Sequence, residues 1–232
     1  MKLEKILSWL DRTLKVADFD DVSNNGLQLD RIPARSTKHQ ALSTAHEVRV
    51  VAFAVDASVR AVEAAAKAGA QLLVVHHGIS WGGGIKRLEG GVGNVVRAAI
   101  RNNLAIAAYH LPLDAHPTLG NNAQLAKYFG LKKVRPAFNY HGNVIGVIGT
   151  NRHEKLIGIC SGGAGEFAEE AKNLGCDLYL TGEASWGDVI AAENCGMRMI
   201  CAGHYETEVF GVRALSKALK KALKLRTVDL TK

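Results

Sequence analysis

Three stretches of this 232-residue chain combine residue types that bind metal ions. The first is His76-His77 in QLLVVHHGISWGGG, the second His110 and Asp114 in YHLPLDAHPTLGNNAQLA, and the third His204 and Glu208 in GHYETE. Neighbouring residues of a strand point to opposite faces, so adjacent histidines converge only where the chain leaves its sheet. GISWGGG supplies such an exit, and adjacent imidazoles then suit a pair of cations, one ring to each. A carboxylate offers two oxygens, which makes Asp114 the natural ligand to share between two ions. His110 either ligates or orients Asp114 or a bound water from outside the ligand set. Glu208 follows His204 by about one helical turn, which puts its carboxylate behind the ring, whereas Glu206 tends to point elsewhere. Each stretch also has a plain reading: loop histidines, a turn aspartate, an acid at a helix start.

Taken together, His76, His77, Asp114, His204 and Glu208 form a mixed nitrogen and oxygen set. It suits Fe, Zn, Mn, Co or Ni. Five such ligands can hold two divalent ions, leave positions open and acidify a bridging water. The chemistry expected is a metal-dependent hydrolase, with Glu183 of LTGE and His110 as catalytic candidates near the ions. The alternative is a non-catalytic carrier or regulatory scaffold.

Further residues invite weaker readings. CSGGAGEF, residues 160–167, is either a phosphate cradle or a tight turn that needs small residues. Asn24, Asn25 and Gln28 of SNNGLQL offer amides to a base edge or build a turn. Trp81 can stack on a purine. His116, before Pro117, caps a turn or lines a rim. The four cysteines, Cys160, Cys176, Cys195 and Cys201, form no CxxC pair and read as reduced packing residues.

These side chains need elements to position them. MKLEKILSWLDRTLK reads as an amphipathic helix, and DFDDVSNNGLQL as a polar loop leading into a short strand. RIPARSTKHQALSTAHE reads as a loop or an irregular pair of strands. Strands VRVVAFAVD, QLLVVHH and LAIAAYH then alternate with helices SVRAVEAAAKAGA, NVVRAAIRNN and NNAQLAKYFG. After a join near residues 131–142, NVIGVIGT and KLIGICSG form a hairpin. The strands CDLYLTG and MRMICAG follow, with helices between them and a long helix from ETEVFG onward. The fold class is α/β, two interlinked lobes with largely parallel or mixed sheets flanked by helices. The lobes cover residues 1–130 and 131–232, with the metal site between them. In open α/β sheets, ligands gather at the carboxyl ends of strands, where the three histidine stretches lie.

Bulk properties narrow the class. Hydrophobic residues make up 47%, enough for a packed core. No apolar run is long enough to span a bilayer, and the N-terminus lacks a cleavable export pattern, so a soluble cytoplasmic protein without membrane contact is expected. The formal charge is +7, part of it from SKALKKALKLRTVDLTK, read as a helix with a solvated lysine face. Nucleic-acid binding through that face is the weaker alternative, and a phosphorylated small molecule suits the charge equally well.

The blocks SNNGLQL, HHGISWGG, HLPLDAHPTLGNNAQLA, LTGE and GHYETE, in that order from about residue 22 to 215, resemble the signature of the Nif-three-like family, also called the GTP cyclohydrolase I type 2 family. The chain is most similar to the short bacterial branch, which lacks an inserted domain. The resemblance implies two α/β lobes, two divalent metal ions per subunit and a toroidal homohexamer. It implies His76, His77, Asp114, His204 and Glu208 as ligands, with His110 nearby. For a substrate such as GTP it implies hydrolytic opening of the imidazole ring at C8.

Overall fold

The computed structural model describes residues 1–31, 47–153 and 155–231. The segment 32–46, which holds most of the expected irregular loop, lies outside them. The chain divides into two compact units, Met1–His110 with Leu215–Lys232, and Leu111–Ala214.

In the first unit the order is α1 (Leu3–Leu14), β1 (Gly26–Leu29), β2 (Val50–Asp56), α2 (Val59–Lys67), β3 (Leu72–His77), α3 (Gly90–Arg101) and β4 (Ala105–Ala108). The chain returns near its end as β10 (Arg226–Asp229). The sheet order is β1-β4-β3-β2-β10. All pairs are parallel except β1 with β4. β2 is buried from Val50 to Val55 because helices cover both faces of a parallel sheet. α2 starts where the Ser58 hydroxyl accepts the Ala61 N–H at 3.1 Å and packs Ala61, Val62 and Ala65 inward. The left-handed Gly69 lets the chain turn away after it. α1 buries Leu3, Ile6, Leu10 and Leu14, the i, i+3/i+4 stripe expected of an amphipathic helix.

The second unit contains α4 (Leu111–Asp114), α5 (Asn121–Tyr128), β5 (Lys132–Tyr140), β6 (Asn143–Thr150), β7 (Leu156–Gly163), α6 (Ala168–Asn173), β8 (Leu178–Glu183), α7 (Trp186–Asn194) and β9 (Met199–Cys201). α8 (His204–Leu223) follows, its first half in this unit and its second half in the first. The sheet order is β5-β6-β7-β8-β9. It is mixed: β5, β6 and β7 run antiparallel, while β7, β8 and β9 run parallel. α7 is closed at its start by a capping box between Ser185 and Asp188.

The α/β class with mixed sheets holds, and several local readings need correction. Residues 131–142 are not a join: they form β5 and its turn, with Ala137 opposite Gly146. Pro136 is tolerated because β5 is an edge strand, where a missing N–H costs no ladder bond. The boundary expected after residue 130 falls inside the second unit, since α4 and α5 pack on β6 and β7. The basic C-terminal run is not all helix. α8 ends at Leu223, Lys224 takes φ 56°, and Arg226–Asp229 pair with β2 through a β-branched Thr-Val step. Pro112 lies in the first turn of the short helix α4, where its missing N–H has no partner to lose. Among the described residues, no helix is long and apolar enough to cross a membrane.

Candidate functional site

Register brings the first histidines together. Val75 of β3 lies opposite Ala108 of β4, so the next residues, His76 and Tyr109, emerge side by side. His76 is buried, with Nδ1 2.9 Å from the Tyr109 carbonyl oxygen. On the other side of β3, His77 lies opposite Asp56, the last residue of β2, and its Nδ1 is 2.9 Å from Asp56 Oδ1. One residue past Tyr109, the His110 ring closes the group. Ring centroids are 4.7 Å apart for His76 and His77, 5.1 Å for His76 and His110, and 5.7 Å for His77 and His110. One ligand-capable atom from each ring lies within 4.8 Å of those of the other two.

The first unit also sets the orientation of His110. Its backbone N–H donates to Asn25 Oδ1 at 2.7 Å, and its Nδ1 is 2.9 Å from Asp21 Oδ1. The Asn25 amide donates in turn to Asp21 Oδ2 at 2.9 Å. Burial raises the Asp21 carboxyl, but hydrogen bonds from His110, Asn25 and the Ser23 N–H outweigh it and hold the group below the usual carboxylate range. In all three histidines Nδ1 thus faces an oxygen acceptor: a carbonyl for His76, Asp56 for His77, Asp21 for His110. An acceptor there places the ring proton on Nδ1 and makes Nε2 the lone-pair nitrogen, the arrangement of metal-binding imidazoles.

The second unit gathers its donors at the ends of β7, β8 and β9. His204 opens α8, and its ring sits between two carboxylates. Nδ1 is 3.1 Å from Glu183 Oε1, and Nε2 is 3.2 Å from Glu208 Oε1. The hydrogen bond to the buried Glu208 and the charges of both acids outweigh desolvation and raise the His204 pKa to about 9. In the absence of metal, the ring therefore holds a proton where a cation would otherwise compensate the acids. Glu206 is exposed on the same turn, and Glu208 is the acid that meets His204.

Glycines make this approach possible. A Cβ on Gly162 would stand 2.5 Å from Glu208 Oε1, and one on Gly182 would stand 2.8 Å from the His204 Cα. Three backbone donors of this turn are engaged by side chains. Ser161 N–H goes to Asn122 Oδ1, Gly162 N–H to Thr207 Oγ1 and Ala164 N–H to Thr181 Oγ1. CSGGAGEF is thus a tight turn whose small residues admit the His204–Glu208 pair.

Asp114, buried at the end of α4, accepts from Asn121 Nδ2 at 2.8 Å and Ser161 Oγ at 3.1 Å. Of the expected ligands, the structure groups His76 with His77 and His204 with Glu208. His110, expected either to ligate or to orient, stands with its ring in the first group. Glu183 Oε1 meets His204 Nδ1, and two residues later the Ser185 side chain caps α7. The amides of SNNGLQL build a turn: Gln28 Oε1 accepts from Ile79 and Ser80 N–H, and Asn24 Nδ2 donates to Ser80 Oγ. His116 Nδ1 accepts from the Leu119 N–H, a local cap. Cys160 and Cys176 are buried thiols, and burial pushes Cys176 up to about 11. Sequence reading missed Asp21 and Asp56. Asp56 ends a strand beside the one that delivers His77, a signal that could have found it; Asp21 is one of several acids in DFDD and carries no such mark.

The chain is similar to known proteins over nearly its whole length. The family model described as Duf34/NIF3 (NGG1p interacting factor 3) matches residues 1–156 and 140–231. A Pyrococcus horikoshii protein named "GTP cyclohydrolase 1 type 2 homolog" is 35% identical, with 98% of this chain and 97% of that protein covered. A Deinococcus radiodurans protein of the same name is 36% identical over 94% of this chain and 88% of its own length. A solved structure of the Thermus thermophilus protein TTHA1606 is 27% identical with a TM-score of 0.81, covering 99% of this chain and 98% of that one.

Proposed function

The chain belongs to the Duf34/NIF3 family, and on that premise we propose that it is a dinuclear metal-dependent hydrolase of a nucleotide-like or other phosphorylated small molecule. His76, His77, Asp114, His204 and Glu208 hold two divalent cations in this reading, and His110 stands beside them. The observation that carries it is the common state of the first three imidazoles, each with Nδ1 committed to an oxygen, the tautomer whose Nε2 ligates metals. The donor set fits first-row divalent ions, since imidazole nitrogens and carboxylates are their usual ligands. Once bound, such ions acidify water and polarise the electrophilic centre of the substrate.

The chain's own residues do the rest. Tyr109 O, Asp56 and Asp21 keep the three rings in their ligating tautomer. Asn121 and Ser161 fix the Asp114 carboxylate. Glu208, buried, supplies negative charge, and His204 gives up its proton when a cation takes its place. Glu183 is largely exposed and in reach of His204 Nδ1, so it can hold the ring by the nitrogen that faces away from Glu208 and accept a proton during turnover. A toroidal homohexamer in the cytoplasm completes the reading, supported by family resemblance and tested by light scattering.

The test is direct. Purify the protein with its native metal, count the ions, and screen nucleotides and model phosphoesters alongside Asp114→Ala. The reading expects metal and turnover to disappear together in the variant. Stoichiometric metal without turnover on any substrate instead identifies a carrier or scaffold, which the relatives' shared description as "homolog" leaves as the second reading.

A further inference from the structure

A cleft of about 420 Å³ opens within the first unit beside the histidine group. Ala57, Ser58 and Val59 at the start of α2 form one side. Gly91, Val92 and Val95 at the start of α3 form another, with Ile79 and Trp81 of the loop after β3 between them. The lining is mainly aliphatic and aromatic, and its size lies in the range of small-molecule sites. Trp81 belongs to both places. Its Nε1–H donates to the Gly78 carbonyl oxygen at 3.1 Å, which fixes the indole. The ring centroid is then 5.2 Å from His110, edge to face, and 6.0 Å from His77.

Two polar side chains at the cleft, Ser58 and Asn94, have hydrogens to donate. Ser58 Oγ already accepts the Ala61 N–H, so its hydroxyl hydrogen is available to a ligand. Asn94 Oδ1 accepts from Arg97, and its amide nitrogen remains a donor. Apolar walls with donors among the lining residues fit a planar ring that carries acceptors on its edge.

We propose that this cleft is the subsite for the heteroaromatic ring of the substrate, a nucleobase-like group packed against Trp81 with the histidine group on the indole's other side. The proposal rests on the hydrolase reading and narrows its substrate class to molecules with such a ring. Gly91 offers a clean test. Gly91 lines the cleft, a Cβ there meets nothing within 4 Å and φ is not in the left-handed region, so Gly91→Leu adds bulk at the cleft without backbone strain or a clash at Cβ.

The experiment uses the full chain with Trp9→Phe and Trp186→Phe, leaving Trp81 as the fluorophore. Guanosine and ribose 5-phosphate are titrated into metal-loaded and chelator-treated protein. The expected result is a saturable change with guanosine in both forms and none with ribose 5-phosphate. Gly91→Leu loses the response while keeping its metal content. The proposal is overturned by absence of saturable guanosine binding, or by binding that survives Gly91→Leu. Metal content and turnover are scored separately. Guanosine binding without metal or turnover sinks the hydrolase reading alone, and metal-dependent turnover with a KM unchanged in Gly91→Leu sinks the subsite alone.

Discussion

Asp21 Oδ1 and His110 Nδ1 stand 2.9 Å apart although 89 residues separate them in the chain. Asn25 closes the ring by accepting the His110 N–H and donating to the same carboxylate. The polar turn before β1 thus decides how the third imidazole of the group presents itself. Asp21→Asn removes the charged acceptor and should weaken metal binding by about 10- to 100-fold, as loss of an orienting partner does. Asp56→Asn should do the same through His77. Competition with a chromophoric chelator measures both, and unchanged affinity in both variants would remove the orienting role.

His204 should titrate abnormally in metal-free protein. Its pKa is raised to about 9 by Glu208 and Glu183, from an ordinary 6.5. A raised folded pKa means that the protonated ring adds stability that is fully present below about 6.5 and fades as pH climbs through about 9. NMR titration of the His204 ring should give a midpoint near 9, falling toward the ordinary value in Glu208→Gln. A normal midpoint in the parent protein contradicts the ion-pair account.

Gly162 is required twice, by its φ of +69° and by the nearness of Glu208. Gly162→Ala should cost about 1–2 kcal/mol for the left-handed backbone alone. Displacement of the Glu208 carboxylate should also weaken metal binding. Urea denaturation and metal titration read the two effects separately.

Asn121 links Asp114 to α8, donating to the carboxylate and accepting the buried Gly211 N–H at 2.7 Å. Asn121→Ala leaves that N–H without its acceptor and should destabilise the protein by about 1–3 kcal/mol. The loss appears in thermal unfolding of metal-free protein, where a purely ligand-binding role would leave no trace.

Much of this was readable in advance. Ser58 and Gly69 bracket α2, alternating strands and helices announce the α/β class, and the spacing of His204 and Glu208 places both on one helix face. Local rules suffice there because capping, periodicity and turn geometry depend on residues a few positions apart. They failed for β5 and β10. Pro136 argued for a break, yet an edge strand tolerates it. The lysines of the C-terminal run argued for continuing helix, yet Arg226–Asp229 gain a parallel partner in β2, at the far end of the chain.

By itself the sequence determined which side chains have the donor types to bind a cation and on which element ends they sit, because residue type and local pattern are properties of short stretches. Only the tertiary structure decided that His76, His77 and His110 share one cluster and that Asp21 and Asp56 orient its rings. It also decided that Gly162 and Gly182 make room for His204. Those outcomes follow from strand register and from the close approach of distant backbone, and neither is encoded in any single segment.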